Sequence, residues 1–191
     1  MRRSVLFVGA AFLAAALAPA QAQTIVTMGK GYAHDCFAYA KAGVDPYDGI
    51  SVCNQSIENE ALTIKDRAAT FDNRGVMLDQ LGRIEKASED FRQSMALDPK
   101  LGDPYVNLGS VLIKQKRYDE ALVSINKGLD LGVSFPHIGY YDRAVAYQLL
   151  GRFKEAYYDY KKTLELEPNF TQASDRLKDF TVTRTPAKVP G

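Results

Sequence analysis

The side chains that could do chemistry in this chain are few. Histidine occurs only at His34 and His137, and no serine or cysteine stands beside a paired base in a local motif. No glycine-rich phosphate loop or zinc-type spacing is present. His34-Asp35-Cys36 groups three ligand types, too few to hold a soft metal. The only two cysteines, Cys36 and Cys53, are candidates for a disulfide or, alternatively, for two buried free thiols. No catalytic residue, metal or cofactor is expected. What remains is amide chemistry. Asn73 and Asn107 lie 34 residues apart, with Asp142 a further 35 along. An asparagine offers both a donor and an acceptor, so a ladder of such side chains can hydrogen-bond the backbone of an extended peptide. The alternative is that each bonds locally to helix or loop backbone.

The spacing of those residues belongs to an internal repeat. Gly75 and Gly109, Leu78 and Leu112, Arg83 and Arg117, and Ala87 and Ala121 all keep the same 34-residue register. The next unit is one residue longer, and the extra residue falls between Leu131 and Tyr140, where a loop is expected. Within each unit, apolar residues recur at three and four positions, as on one face of a helix. Leu81-Gly82-Arg83 and Leu150-Gly151-Arg152 mark turns between helices. Asp98-Pro99 and Glu167-Pro168 end helices, and Asp103-Pro104 reads as an N-cap followed by proline at the first helical position.

A period in this range with these fixed offsets resembles the tetratricopeptide repeat (TPR). Phe71, Tyr105 and Tyr140 occupy the fourth place; Gly75, Gly109 and Ala144 the eighth; Ala87, Ala121 and Ala156 the twentieth; Pro99 and Pro168 the thirty-second. Val133 replaces that proline in the middle unit, and Lys116 replaces the turn glycine. The resemblance implies an all-α fold, a right-handed superhelix of antiparallel helix pairs. The expected divisions are repeats at 68–101, 102–136 and 137–170, a degenerate helical pair at 34–67 and a capping helix at 171–180.

The chain opens Arg2-Arg3, runs apolar from Val5 to Ala18 and offers Ala20-Gln21-Ala22 as a small-residue cleavage site, so residues 1–22 read as a signal peptide. General secretory export is preferred over the twin-arginine route, and the destination expected is a bacterial periplasm. Cleavage removes two arginines and no acids, which turns the formal +1 of the whole chain slightly negative. No basic excess steers it to nucleic acid. The mature chain has no apolar run long enough to insert in a membrane. Residues 23–33 are expected to be flexible, and 181–191 a disordered tail. An exported chain with an even cysteine count is expected to pair Cys36 with Cys53. That would staple the terminal helical pair and remove roughly 3 kcal/mol of unfolded-state freedom.

By the same resemblance, first helices line the concave side of the superhelix. The residues expected to bind peptide there are Asp72, Asn73, Val76, Val106, Asn107, Ser110, Lys114, Tyr141, Asp142, Val145 and Gln148. Asp72, Val106 and Tyr141 stand where chaperone-binding members clamp a carboxylate with lysines and arginines, so no such clamp is expected. The function expected is a non-enzymatic adaptor holding an extended, neutral-to-basic peptide from a protein partner. The alternative is a structural subunit that self-associates or packs into a larger cell-envelope assembly; it leaves homo-oligomerisation open.

Overall fold

The computed structural model describes residues 31–180; the expected signal peptide, residues 23–30 and the tail 181–191 lie outside the described residues. Helices α1 (Tyr32–Ala42) and α2 (Pro46–Asn59) form the first antiparallel pair. Helices α3 (Ile64–Gln80) and α4 (Ile84–Leu97), α5 (Asp103–Lys114) and α6 (Tyr118–Leu131), and α7 (Pro136–Leu149) and α8 (Phe153–Leu166) form the next three. Helix α9 (Thr171–Lys178) packs on α8. The described residues contain no strand. Each second helix also meets the next first helix, and the first helices α1, α3, α5 and α7 touch in succession, so the pairs stack into a solenoid.

Three turns share one device. Gly82 at φ 69°, Lys116 at φ 62° and Gly151 at φ 74° each take the left-handed conformation. The amide that follows each of them bonds back into its helix: Arg83 to Leu78, Arg117 to Leu112 and Arg152 to Tyr147, at 2.8–2.9 Å. This closes orphan carbonyls at the helix ends. Lys116 adopts it despite its Cβ, because the pairing around it dictates the turn.

Several helix boundaries depart from the sequence expectation. α1 begins at Tyr32, inside the stretch expected to be flexible, because the Glu60 carboxylate accepts from the amides of Tyr32 and Ala33 at 2.6 and 2.9 Å. α2 accordingly stops at Asn59, and Glu60 leaves the helix to make that cap. α3 starts at Ile64, ahead of the Ala68 repeat boundary, because Thr63 accepts from the Asp66 amide at 3.1 Å. Asp103 is not an N-cap. It is the first residue of α5, and its carboxylate accepts from the amide and hydroxyl of Ser134 at 2.8 and 3.0 Å, holding the loop before α7.

The core follows the pairs. Phe91, Val111, Ala121 and Ile125 are buried between α3 and α6, and Ala144, Ala156, Tyr160 and Ala173 between α7 and α9. Gly75 lets α3 and α4 approach so closely that a Cβ there would stand 2.6 Å from the Phe91 ring. Cys36 and Cys53 form a disulfide that is wholly buried and ties α1 to α2, with Met77 of α3 packed beside it. Of the two alternatives for these cysteines, the paired one is present.

Candidate functional site

The stacked first helices enclose a cavity of about 590 Å³ on their shared face. α1 supplies Phe37, Ala40 and Lys41; α3 supplies Ala69, Asp72, Asn73 and Val76; α5 supplies Asp103, Val106 and Asn107. The loop before α7 closes the far side with Val133, Ser134 and Phe135, followed by His137 and Ile138. Phe37 is 48% exposed, Phe135 50% and Ile138 37%. Large apolar side chains are thus left open to solvent around one concave site, which is the arrangement of a binding pocket.

Five of the eleven residues expected to bind peptide line this cavity: Asp72, Asn73, Val76, Val106 and Asn107. Ser110, Lys114 and Asp142 lie outside it in a polar seam. The Ser110 hydroxyl donates to Asp142, and the Lys114 ammonium pairs with Asp79 at 2.6 Å. The other three are taken up by packing at the C-terminal end. The Tyr141 ring sits 5.1 Å from that of Phe170, Val145 packs on the same cluster, and the Gln148 side chain accepts from the Tyr160 hydroxyl at 2.6 Å.

The asparagine ladder is not laid out as three open groups. The Asn107 amide donates to Asp72 at 2.9 Å, so it bonds across to the preceding first helix rather than to local backbone. Asp142 is engaged by Ser110 in the same way, one repeat further on. Asn73 alone has no side-chain hydrogen bond among the described residues and faces the cavity. Burial governs the charge of both acids. It pushes the Asp72 carboxyl up to about 7, reinforced by Asp103 and opposed by the Asn107 bond. Asp142 is pushed up to about 6 by burial, with Asp79 reinforcing and the Ser110 bond and Lys114 opposing.

Sequence reasoning missed Phe37 and Phe135. α1 reads as a cap, yet it contacts α3 and adds one wall of the cavity. Phe135 sits in the segment that carries the extra residue of the longer repeat, and that insertion was the available signal. Two arginine clamps were also missed. Arg74 bonds both oxygens of Asp90 at 2.7 Å and reaches Asn54 of the preceding pair. Arg143 does the same with Asp159 and Asn126. These clamps join neighbouring repeats and leave the first-helix face to Asn73 and its neighbours.

A row of helix pairs with an aromatic-rimmed groove along its first helices defines a class of protein, the α-helical interaction scaffold. Among the described residues no group of three or more His, Cys, Asp or Glu is placed to hold a metal, and no helix is long and apolar enough to cross a membrane. Family models described as tetratricopeptide repeat match residues 68–101, 102–131 and 137–170, together just over half of the chain. The chain belongs to the tetratricopeptide repeat family.

The chain is 32% identical over 116 residues to the Hsp70-Hsp90 organizing protein of Triticum aestivum, a match covering 61% of this chain and 20% of that protein. It is 34% identical over 98 residues to the Lipoprotein NlpI homolog of Haemophilus influenzae, covering 50% of this chain and 30% of that one. The chain therefore spans less than a third of the length of these curated relatives. Among solved structures, the first TPR of Spaghetti (RPAP3) bound to HSP90 peptide SRMEEVD is similar at TM-score 0.56 and 25% identity, over 60% of this chain and 92% of that one. MamA AMB-1 is similar at TM-score 0.60 and 22% identity, over 76% and 83%, a likeness of fold.

Proposed function

We propose that this protein is a non-enzymatic adaptor of the bacterial periplasm that holds an extended segment of a partner protein in the groove of its first helices. The observation that carries the reading is the exposure of Phe37, Phe135 and Ile138 around one cavity that also presents Asn73. Apolar side chains of a bound segment would fill the cavity, and Asn73 would offer its donor and acceptor to the backbone. The solved RPAP3 domains carry HSP90 and HSP70 peptides, SRMEEVD and SGPTIEEVD, which supports peptide binding as a use of the fold. Those peptides are acidic. Here the groove carries Asp72 and Asp103, and Lys114 is already paired with Asp79, so a neutral-to-basic segment fits better. The charged, apolar and small-residue order of Met1–Ala22 supports export.

A photocrosslinking residue placed at Phe135 in cells tests this reading, with Val123 on α6, 73% exposed, as an outer-face control. Recovery of a defined segment of one envelope protein from Phe135 and not from Val123 is expected. Adducts from Val123 alone would move the interface off the groove. A structural-subunit reading draws support from Phe153, Tyr158 and Leu166 of α8, which are 59%, 59% and 41% exposed. On that reading the sedimenting mass rises with protein concentration; on the adaptor reading it stays at one chain.

A further inference from the structure

We propose that Asp72 is a cation-recognition point inside the groove, and that the segment it selects presents an arginine or lysine there, with the aliphatic stem of that residue lying against the apolar cavity walls. This rests on the groove reading above and names the chemistry of its ligand.

The geometry is unusual for a carboxylate. Asp72 is 8% exposed, lines the cavity and accepts one side-chain hydrogen bond, from Asn107 to Oδ1. Among the described residues its Oδ2 has no hydrogen-bond partner, and no cation pairs with either oxygen. Among the described residues, the two other aspartates as little exposed as Asp72 are treated differently. Asp90 and Asp159 each receive a two-pronged arginine. A carboxylate largely removed from water is costly unless it is paired, and Oδ2, left open to the cavity, is the position at which a matching cation recovers part of that cost.

No group already in the cavity supplies the cation. Lys41 of α1 stands over the Phe37 ring at 5.8 Å, and Asp103 of α5 is committed to Ser134 and repels Asp72. His137 of α7 packs its ring edge-on against Phe135 and Phe170. α2 and α4 contribute no residue to the cavity wall. The walls themselves suit a long stem. Arginine and lysine bury their methylenes along apolar surface while the charged head seeks a polar partner, and Val76, Val106 and Ile138 offer that surface beside Asp72. Binding a cation requires the ionised carboxyl, whereas burial keeps it protonated up to about pH 7 in the empty groove. Affinity for a basic segment therefore rises as the pH passes upward through neutrality.

The test is calorimetric titration of the intact protein with acetyl-Ala-Val-Arg-Val-Ala-amide and with two counterparts carrying citrulline or glutamate in place of the arginine. At pH 8 the arginine peptide should bind at least about 10-fold more tightly than the citrulline peptide, an amount in the range of a charge-assisted hydrogen bond. At pH 5.5 that preference should shrink. Asp72→Asn keeps the acceptor for Asn107 and removes the charge, so it should abolish the preference for arginine over citrulline and its pH dependence. Equal binding of the arginine and citrulline peptides to the wild-type protein, tighter binding of the glutamate peptide, or a preference that survives Asp72→Asn would each overturn the inference. If Phe135 still crosslinks a partner segment while the arginine and citrulline peptides bind alike, the groove reading stands and this inference alone falls.

Discussion

Asp72 shows how one residue can serve a site at the expense of the fold. Its folded carboxyl is raised to about 7 from an ordinary 3.8. The folded state therefore binds its proton more tightly than the unfolded chain does. That contribution to stability is fully present below pH 4 and is lost as the pH rises toward 7. Asp142, raised to about 6, adds a smaller effect of the same sign. Thermal unfolding followed between pH 5 and pH 8 should show the melting temperature falling as the pH rises, and Asp72→Asn should flatten that slope and raise stability at pH 8. A melting temperature independent of pH in the wild-type protein, with no gain in the variant, would contradict the burial of an unpaired carboxyl. Lys116 is a second residue held at a cost, since a side chain at φ 62° meets the following carbonyl. Lys116→Gly, which restores the residue found at Gly82 and Gly151, should stabilise the protein by about 1 kcal/mol in denaturant unfolding. Destabilisation would mean that the lysine stem packs in a way its turn does not require.

At the scale of elements, the helices that the repeat dictates were legible and the first pair was only partly so. Gly75 and Gly109 mark close approaches within helix pairs, because only a residue without a Cβ admits Phe91 and Ile125 there. That is a local demand, and it repeats with the register. The start of α1 is not a local matter. Its cap is Glu60, 28 residues downstream of Tyr32, so nothing in the sequence around Tyr32 announces a helix. The same helix is a wall of the cavity, and the disulfide to α2 fixes it. Replacing both Cys36 and Cys53 with alanine should cost about 3 kcal/mol, the chain-entropy value for a loop of this size. The loss should be concentrated in α1: hydrogen exchange of amides in Tyr32–Ala42 should accelerate well before those of α5 and α6. Uniform acceleration across all the helices would show that the staple supports the whole array rather than its end.

At the scale of the whole molecule, four stacked pairs turn a periodic sequence into one continuous face. Its sequence-visible part is what recurs at fixed offsets, namely Asp72 and Asn73 with Val106 and Asn107. Its hidden part comes from departures from the repeat. Phe37 belongs to the degenerate pair, and Phe135 to the loop of the longer unit. The polar residues of α7 were placed in the groove by register, yet Tyr141 and Gln148 are claimed by Phe170 and Tyr160 instead, because the last repeat must bury its end against α8 and α9. Binding is thus expected to centre on the first two first-helix interfaces rather than to run evenly along the array. The most direct test of the groove is the affinity of the segment crosslinked from Phe135 for a Phe37→Ser/Phe135→Ser double variant and for Val123→Ser, measured by fluorescence anisotropy. A loss of at least about 10-fold in the double variant, with Val123→Ser unchanged, is expected from removing two aromatic contacts at a binding site. Undiminished affinity in the double variant, or an equal loss in Val123→Ser, would contradict the groove as the place where this protein holds its partner.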